Sequence, residues 1–144
     1  MTAGIEHQAL LLWATRRMSA DGFGVVAFDG IAGQAGRWND LPTPFPLHGR
    51  RPDAVGLDAG GSLAFCEAKI GNDILCRRTR EQFEIFGRLK MRGSSVICPL
   101  YVAVPREQAP LLDQALVRAG IAGARNIVRM HIPEILIGSR SNAA

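Results

Sequence analysis

The chain lacks the marks of several large classes of protein. Its three cysteines, Cys66, Cys76 and Cys98, stand in no CxxC or other metal-ligating spacing, and an odd count argues against a disulfide framework. Cys66 and Cys98 fall in apolar, strand-like runs and read as small core residues. No apolar run approaches membrane-spanning length, and the apolar stretch near the start is amphipathic and interrupted by Glu6, His7 and Gln8, unlike a signal peptide. These absences predict a soluble protein of a reducing compartment, the cytoplasm. There is no internal repeat, and no helix-turn-helix or zinc-finger pattern that would read a base sequence. Acidic residues are outnumbered, with 13 Asp and Glu against 17 Lys and Arg, for a net charge of +4. That balance favours a polyanionic partner.

What is present describes one globular domain over residues 1–144, with 47% hydrophobic residues. Its organising stretch is Arg51–Lys69, RPDAVGLDAGGSLAFCEAK. Two short apolar runs flank Gly60-Gly61, the pattern of a β-hairpin. Folding at those glycines sets Asp53, at the outer start of the first arm, beside Glu67 near the end of the second. Side chains alternate along a strand, so Glu67 and Lys69 share one face and Ala68 the other. Carboxylates facing each other repel unless a cation sits between them. The flanks Leu63, Ala64, Phe65, Cys66 and Ile70 predict a strand buried on both faces, where charges need a reason. The bland alternative is an ordinary cross-strand carboxylate–lysine pair on a half-exposed strand.

Two carboxylates and an ammonium suit metal-assisted phosphodiester hydrolysis. Mg²⁺ takes one or two carboxylates and leaves the remaining positions to water and substrate phosphate, while a lysine places the attacking water. Pro52-Asp53 followed by Glu67-Ala68-Lys69 on a strand resembles the PD-(D/E)xK nuclease superfamily, over roughly Glu6 to Pro105. The resemblance implies a restriction-endonuclease-like core, an α/β fold with a mixed sheet flanked by helices on both faces. It implies Asp53 and Glu67 as ligands of Mg²⁺ (or Mn²⁺ in its place), with the Ala68 carbonyl as a further ligand and Lys69 as catalytic. It also suggests a glutamate from the first helix, here Glu6, and a glutamine from the helix after the motif, here Gln82. Both have structural explanations: Glu6 as a first-turn acid complementing the helix dipole, and Gln82 as the partner of Thr79 in a capping box.

In chain order, Gly4–Met18 reads as a helix with adjacent stripes Ile5-Ala9-Leu12 and Glu6-Leu10-Trp13. Phe23–Phe28 reads as a buried strand. Asp29–Arg51 is a long Gly- and Pro-rich loop, of the kind that is usually functional or disordered. Its Trp38, Phe45 and His48 suit base stacking, and Arg37, Arg50 and Arg51 phosphate contact; a core or dimer role serves the two large aromatics equally. After a break at Gly71-Asn72-Asp73, a helix from Leu75 or Thr79 to Met91 buries Phe83, Phe86 and Leu89. It shows a basic surface of Arg77, Arg78, Arg80, Arg88, Lys90 and Arg92, read as either phosphate-tracking or merely solvated. Ser94–Val104 reads as a central strand irregular at Pro99, Glu107–Ala119 as a helix stopped by Gly120, and Asn126–Ile132 as a last strand carrying a lone, structural His131. Glu134–Ser139 is a short helix or edge strand, and the tail beyond is frayed. The order is α-β-β-β-α-β-α-β.

The function expected is a Mg²⁺-dependent DNA endonuclease, structure-selective or weakly sequence-specific and similar in size to the Holliday-junction resolvase branch. A homodimer is expected because cutting two strands needs two sites. The alternatives are a non-catalytic nucleic-acid-binding or assembly module on the same fold, a restriction-like enzyme, or a nuclease acting on RNA.

Overall fold

The structure, a computed structural model, describes residues 2–31 and 33–138. Their elements run α1 (Thr2–Ala20), β1 (Gly24–Phe28), β2 (Ala54–Leu57), β3 (Leu63–Ala68), α2 (Arg77–Phe86), β4 (Leu100–Pro105), α3 (Ala109–Arg118) and β5 (Ile127–Ile132). This is a mixed α/β protein whose helices and strands follow the expected order. The five strands form one sheet in sequence order, antiparallel from β1 to β3 and parallel from β3 to β5. No helix among the described residues is long and apolar enough to cross a membrane.

Strand alternation builds a three-layer core. Ala54, Ala64, Cys66, Ala68, Tyr101 and Ala103 turn to one face and pack against Leu10, Leu11, Ala14 and Met18 of α1. Phe65, Leu100, Val102 and Val104 turn to the other and pack against Phe83 and Phe86 of α2 and Leu112, Ala115 and Leu116 of α3. β4 is buried along its whole length, as a parallel strand covered on both faces must be. Each large apolar side chain buried this way contributes about 1.5–3 kcal/mol.

The hairpin has the predicted register: Ala54 lies opposite Cys66 and Leu57 opposite Leu63, which carries on to Asp53 opposite Glu67. Its loop is closed by Asp58, whose Oδ1 accepts from the Gly60 and Ser62 amides while Gly61 takes a positive φ of 87°. That is a hairpin with a left-handed residue before the second arm.

Three elements differ from the sequence reading. The buried stripe of α1 is Leu10-Leu11-Ala14-Met18, while Ile5 is exposed, because a helix apolar on several sides does not choose its own face. Helix α2 ends at Phe86 instead of Met91. Gly87 follows in a tight approach to Ile121, and the carbonyls of Gly87 and Cys98 both accept from the Asn126 side chain. The strand expected from Ser94 begins only at Leu100. Pro99 has no N–H to give a ladder, and the exposed Val96 and Ile97 belong to the connection before it. Glu134–Leu136 is a 3-10 turn; Ser139 and the tail lie outside the described residues.

The long segment after β1 is tied down. Trp38 is buried and its Nε1–H donates to Thr15 Oγ1 on α1 at 3.0 Å. The Phe28 amide donates to the Pro42 carbonyl, and Leu47 and Arg50 exchange backbone hydrogen bonds around a turn with positive φ at His48 and Gly49.

Candidate active site

At the carboxyl end of β3, where the sheet changes from antiparallel to parallel, Asp53, Glu67 and Lys69 come together. Ligands of open α/β sheets bind beyond strand carboxyl ends of this kind. The Asp53 amide donates to Glu67 Oε2 at 3.0 Å, and Asp53 Oδ2 accepts from the Ala68 amide at 2.8 Å. Hairpin pairing thus holds each carboxylate on a backbone amide of the opposite arm. Lys69 Nζ lies 3.4 Å from Glu67 Oε1 and donates to Gln82 Oε1.

The trio is graded in depth. Glu67 is 0% exposed, Lys69 12% and Asp53 15% by side chain, so Asp53 and Lys69 face solvent while Glu67 lies beneath them. Burial, then the repulsion of Asp53, pushes the Glu67 carboxyl well above the usual range against the pull of Lys69. Glu67 Oε1 is met by the Lys69 ammonium at 3.4 Å, with no closer hydrogen bond among the described residues. A buried carboxylate held beside another carboxylate opposes folding and calls for a compensating cation.

Gln82 is buried, and its partner decides its role. Helix α2 starts at Arg77 with Cys76 as its N-cap, so Thr79 is inside the helix and no capping box forms. Thr79 Oγ1 instead donates to the Asp73 carbonyl, leaving the Gln82 carbonyl to fix the Lys69 ammonium.

The first helix contributes differently from the expectation. His7 reaches the site, with Nε2 3.1 Å from Asp53 Oδ2, and it lines the cleft, whereas Glu6 does not. Burial pulls the His7 imidazolium down, but the hydrogen bond and charge of Asp53, aided by the Ala68 carbonyl, outweigh it and leave its pKa raised. His7 escaped the sequence reading because the stripe was centred on Leu10 and Trp13. It sits one turn before Leu11 and two before Ala14, both completely buried, and that spacing is the signal that points it inward.

His7, Asp53, Lys69 and Gln82 floor an open cleft of about 450 Å³, with Glu67 beneath them, walled by Asp29, Pro46, Gly49, Arg50, Arg51, Asp73, Cys76 and Arg78. Of the cations expected at phosphates, Arg50, Arg51 and Arg78 line it. Arg77 and Arg80 stand on the exposed helix surface, paired with Glu81 and Glu84, and Arg50 also pairs with Glu81. Arg37 lies over the Trp38 ring, 4.4 Å from its centroid, and His48 is exposed at the loop tip. His131 lies exposed on the edge strand β5. The broad basic face expected of α2 is therefore divided: one part enters the cleft, while Arg88, beyond the helix, donates to the Ala119 carbonyl at the end of α3.

Among the described residues no set of three or more His, Cys, Asp or Glu converges on a cation position. Mg²⁺ asks for less, since one or two carboxylates suffice when water and substrate phosphate complete its shell. Asp53, with the buried Glu67 behind it, fits that smaller set.

Both raised groups give folding the same pH dependence. A group whose pKa is higher folded than unfolded binds its proton more tightly in the native state, so stability falls as pH rises through the folded value. In EDTA the melting temperature is expected to be higher at pH 6 than at pH 8, and His7→Gln to flatten that difference; thermal melts across the range measure it. A melting temperature that rises from pH 6 to pH 8 refutes the assignment.

Comparison of the chain with protein-family models, with curated proteins and with solved structures gave no match.

Proposed function

We propose that this chain is a metal-dependent endonuclease hydrolysing DNA phosphodiester bonds, built on a restriction-endonuclease-like core of the PD-(D/E)xK type. The observation that carries the reading is Lys69. Its ammonium is held between the buried Glu67 and Gln82 on the floor of an arginine-lined cleft, beside a second, outward-facing carboxylate. A cross-strand surface pair has neither a buried glutamine fixing the lysine nor a cleft above it.

In this reading Asp53 and Glu67 hold Mg²⁺, which Mn²⁺ can replace, with the Ala68 carbonyl as a further ligand. The metal supplies polarisation of the phosphoryl oxygen and an acidified water. Lys69 orients the attacking water and offsets charge developing on the phosphate, and Gln82 sets its direction. His7 and the Ala68 amide hold Asp53 Oδ2, and Asp53 lines the cleft. Arg50, Arg51 and Arg78 take the flanking phosphates, as guanidinium forks do. Two cuts in a duplex take two such sites, so the working unit is a homodimer.

One observation favours a second reading, a binding module on the same fold: the carboxylates are already engaged by His7, Lys69 and backbone amides. An assay of the native chain decides between them, with linear duplex, single strand, flap, four-way junction and RNA, each with Mg²⁺, Mn²⁺ or EDTA. Cleavage that requires metal is expected. Binding without any cleavage gives the site to the second reading.

A further inference from the structure

The wall of the cleft carries a feature that the hydrolytic site does not use. Phe45 is 85% exposed, in the run Pro42-Thr43-Pro44-Phe45-Pro46. An exposed aromatic on a loose loop can fold back onto apolar surface, but this one is held out. Prolines on both sides restrict the backbone, the Pro42 carbonyl accepts from the Phe28 amide, and the Leu47–Arg50 turn is anchored by the Arg50–Glu81 pair to α2. The loop is a partition. Its next residue, Pro46, and then Gly49, Arg50 and Arg51 face the cleft. Phe45 and Leu47 face an apolar groove of about 290 Å³ over β1–β3, floored by Val26, Val55, Leu63 and Phe65.

Resting on the nuclease reading, we propose that Phe45 is a stacking platform for a nucleobase unpaired next to the scissile phosphate, so that the substrate is DNA with a locally open duplex. Charge and chemistry select this occupant. The side of the partition facing Asp53 and Lys69 offers arginines to phosphates, and the opposite side offers a rigid ring with a neutral, apolar groove behind it. Phosphate on one side and a π-face on the other is how single-stranded nucleic acid is held, and every base has a face to stack. A fully paired duplex keeps its bases stacked inside and has nothing to give Phe45.

The test compares the native chain with Phe45→Ala and Phe45→Trp on two DNAs of equal length. One is a perfect duplex; the other has a short unpaired segment carrying 2-aminopurine. Binding is read in EDTA from anisotropy and 2-aminopurine fluorescence, and cleavage separately with Mg²⁺. The open substrate is expected to quench on binding and to lose about 5- to 100-fold in affinity with Phe45→Ala, from a stacking energy of about 1–3 kcal/mol per base. Phe45→Trp restores it, and duplex binding changes less than about twofold. An equal loss on both substrates overturns the proposal. So does a native dimer that Phe45→Ala converts to monomers, which would make the ring an interface between copies. Metal-dependent cleavage with no Phe45 effect ends this inference and leaves the nuclease standing. Phe45-dependent quenching without cleavage on any substrate does the reverse.

Discussion

Lys69→Ala is expected to lower metal-dependent cleavage by about 10³-fold or more while the same DNA still binds within about tenfold. The magnitude follows from what one preorganised donor at a developing charge supplies, about 10²–10³ in rate, and from the water that the ammonium also orients. Binding survives because Arg50, Arg51 and Arg78 remain on the cleft wall. The ammonium is also the cation that offsets the buried Glu67 and its neighbour Asp53, so Lys69→Ala is also expected to melt lower. Lys69→Met keeps the packing of the side-chain stem and separates the two effects: activity is lost, with less damage to the fold. Lys69→Arg restores charge without the compact ammonium beside Gln82 and remains at least about tenfold impaired. A folded Lys69→Met protein that cuts DNA at the native rate removes the trio from catalysis altogether.

How much of this site could be read from the residues depends on which force sets each position. The hairpin was legible because a two-residue period and a glycine turn leave one register that keeps Ala64, Cys66 and Ala68 on a single face. Asp53, Glu67 and Lys69 follow from that register without further information. Gln82 was visible only as a choice between a cap and a site; where α2 starts resolved it, and a helix start is set within a residue or two by loop contacts such as Thr79 to the Asp73 carbonyl. His7 was missed for a different reason. Helix α1 has apolar residues on several sides, and its rotation is set by small side chains on the sheet and by the docking of Trp38 on Thr15. The run Ser94–Ile97 shows the converse error, since apolar β-branched residues look like a strand even where, as here, an isolated bridge from Ile97 to Lys90 stands in place of a ladder.

Glu67 provides the sharpest separation between a structural ion pair and a functional one. As a carboxylate it is completely buried, repelled by Asp53 and only partly compensated by Lys69, and its raised pKa means that the fold favours the neutral form. Glu67→Gln has the same shape, retains a carbonyl oxygen for the Asp53 amide, and removes the charge. At pH 8 in EDTA it is expected to stabilise the protein by about 0.5–2 kcal/mol, a rise of a few degrees in melting temperature. The gain shrinks as pH falls, because the raised pKa lets the native carboxyl hold a proton more tightly than the unfolded one does. Cleavage falls by about 10³-fold or more, since a carboxamide is a poor ligand for a hard cation. The extra stability that Mg²⁺ gives the native chain by binding the folded state is also reduced. A charge that weakens the fold where it stands, and whose removal abolishes activity, belongs to function: strain held at a site and compensated by the rest of the core. Destabilisation by Glu67→Gln at pH 8, with metal response and cleavage intact, reverses that assignment. Glu67 and Lys69 would then be a structural pair within the sheet, with no part for the buried carboxylate in holding Mg²⁺.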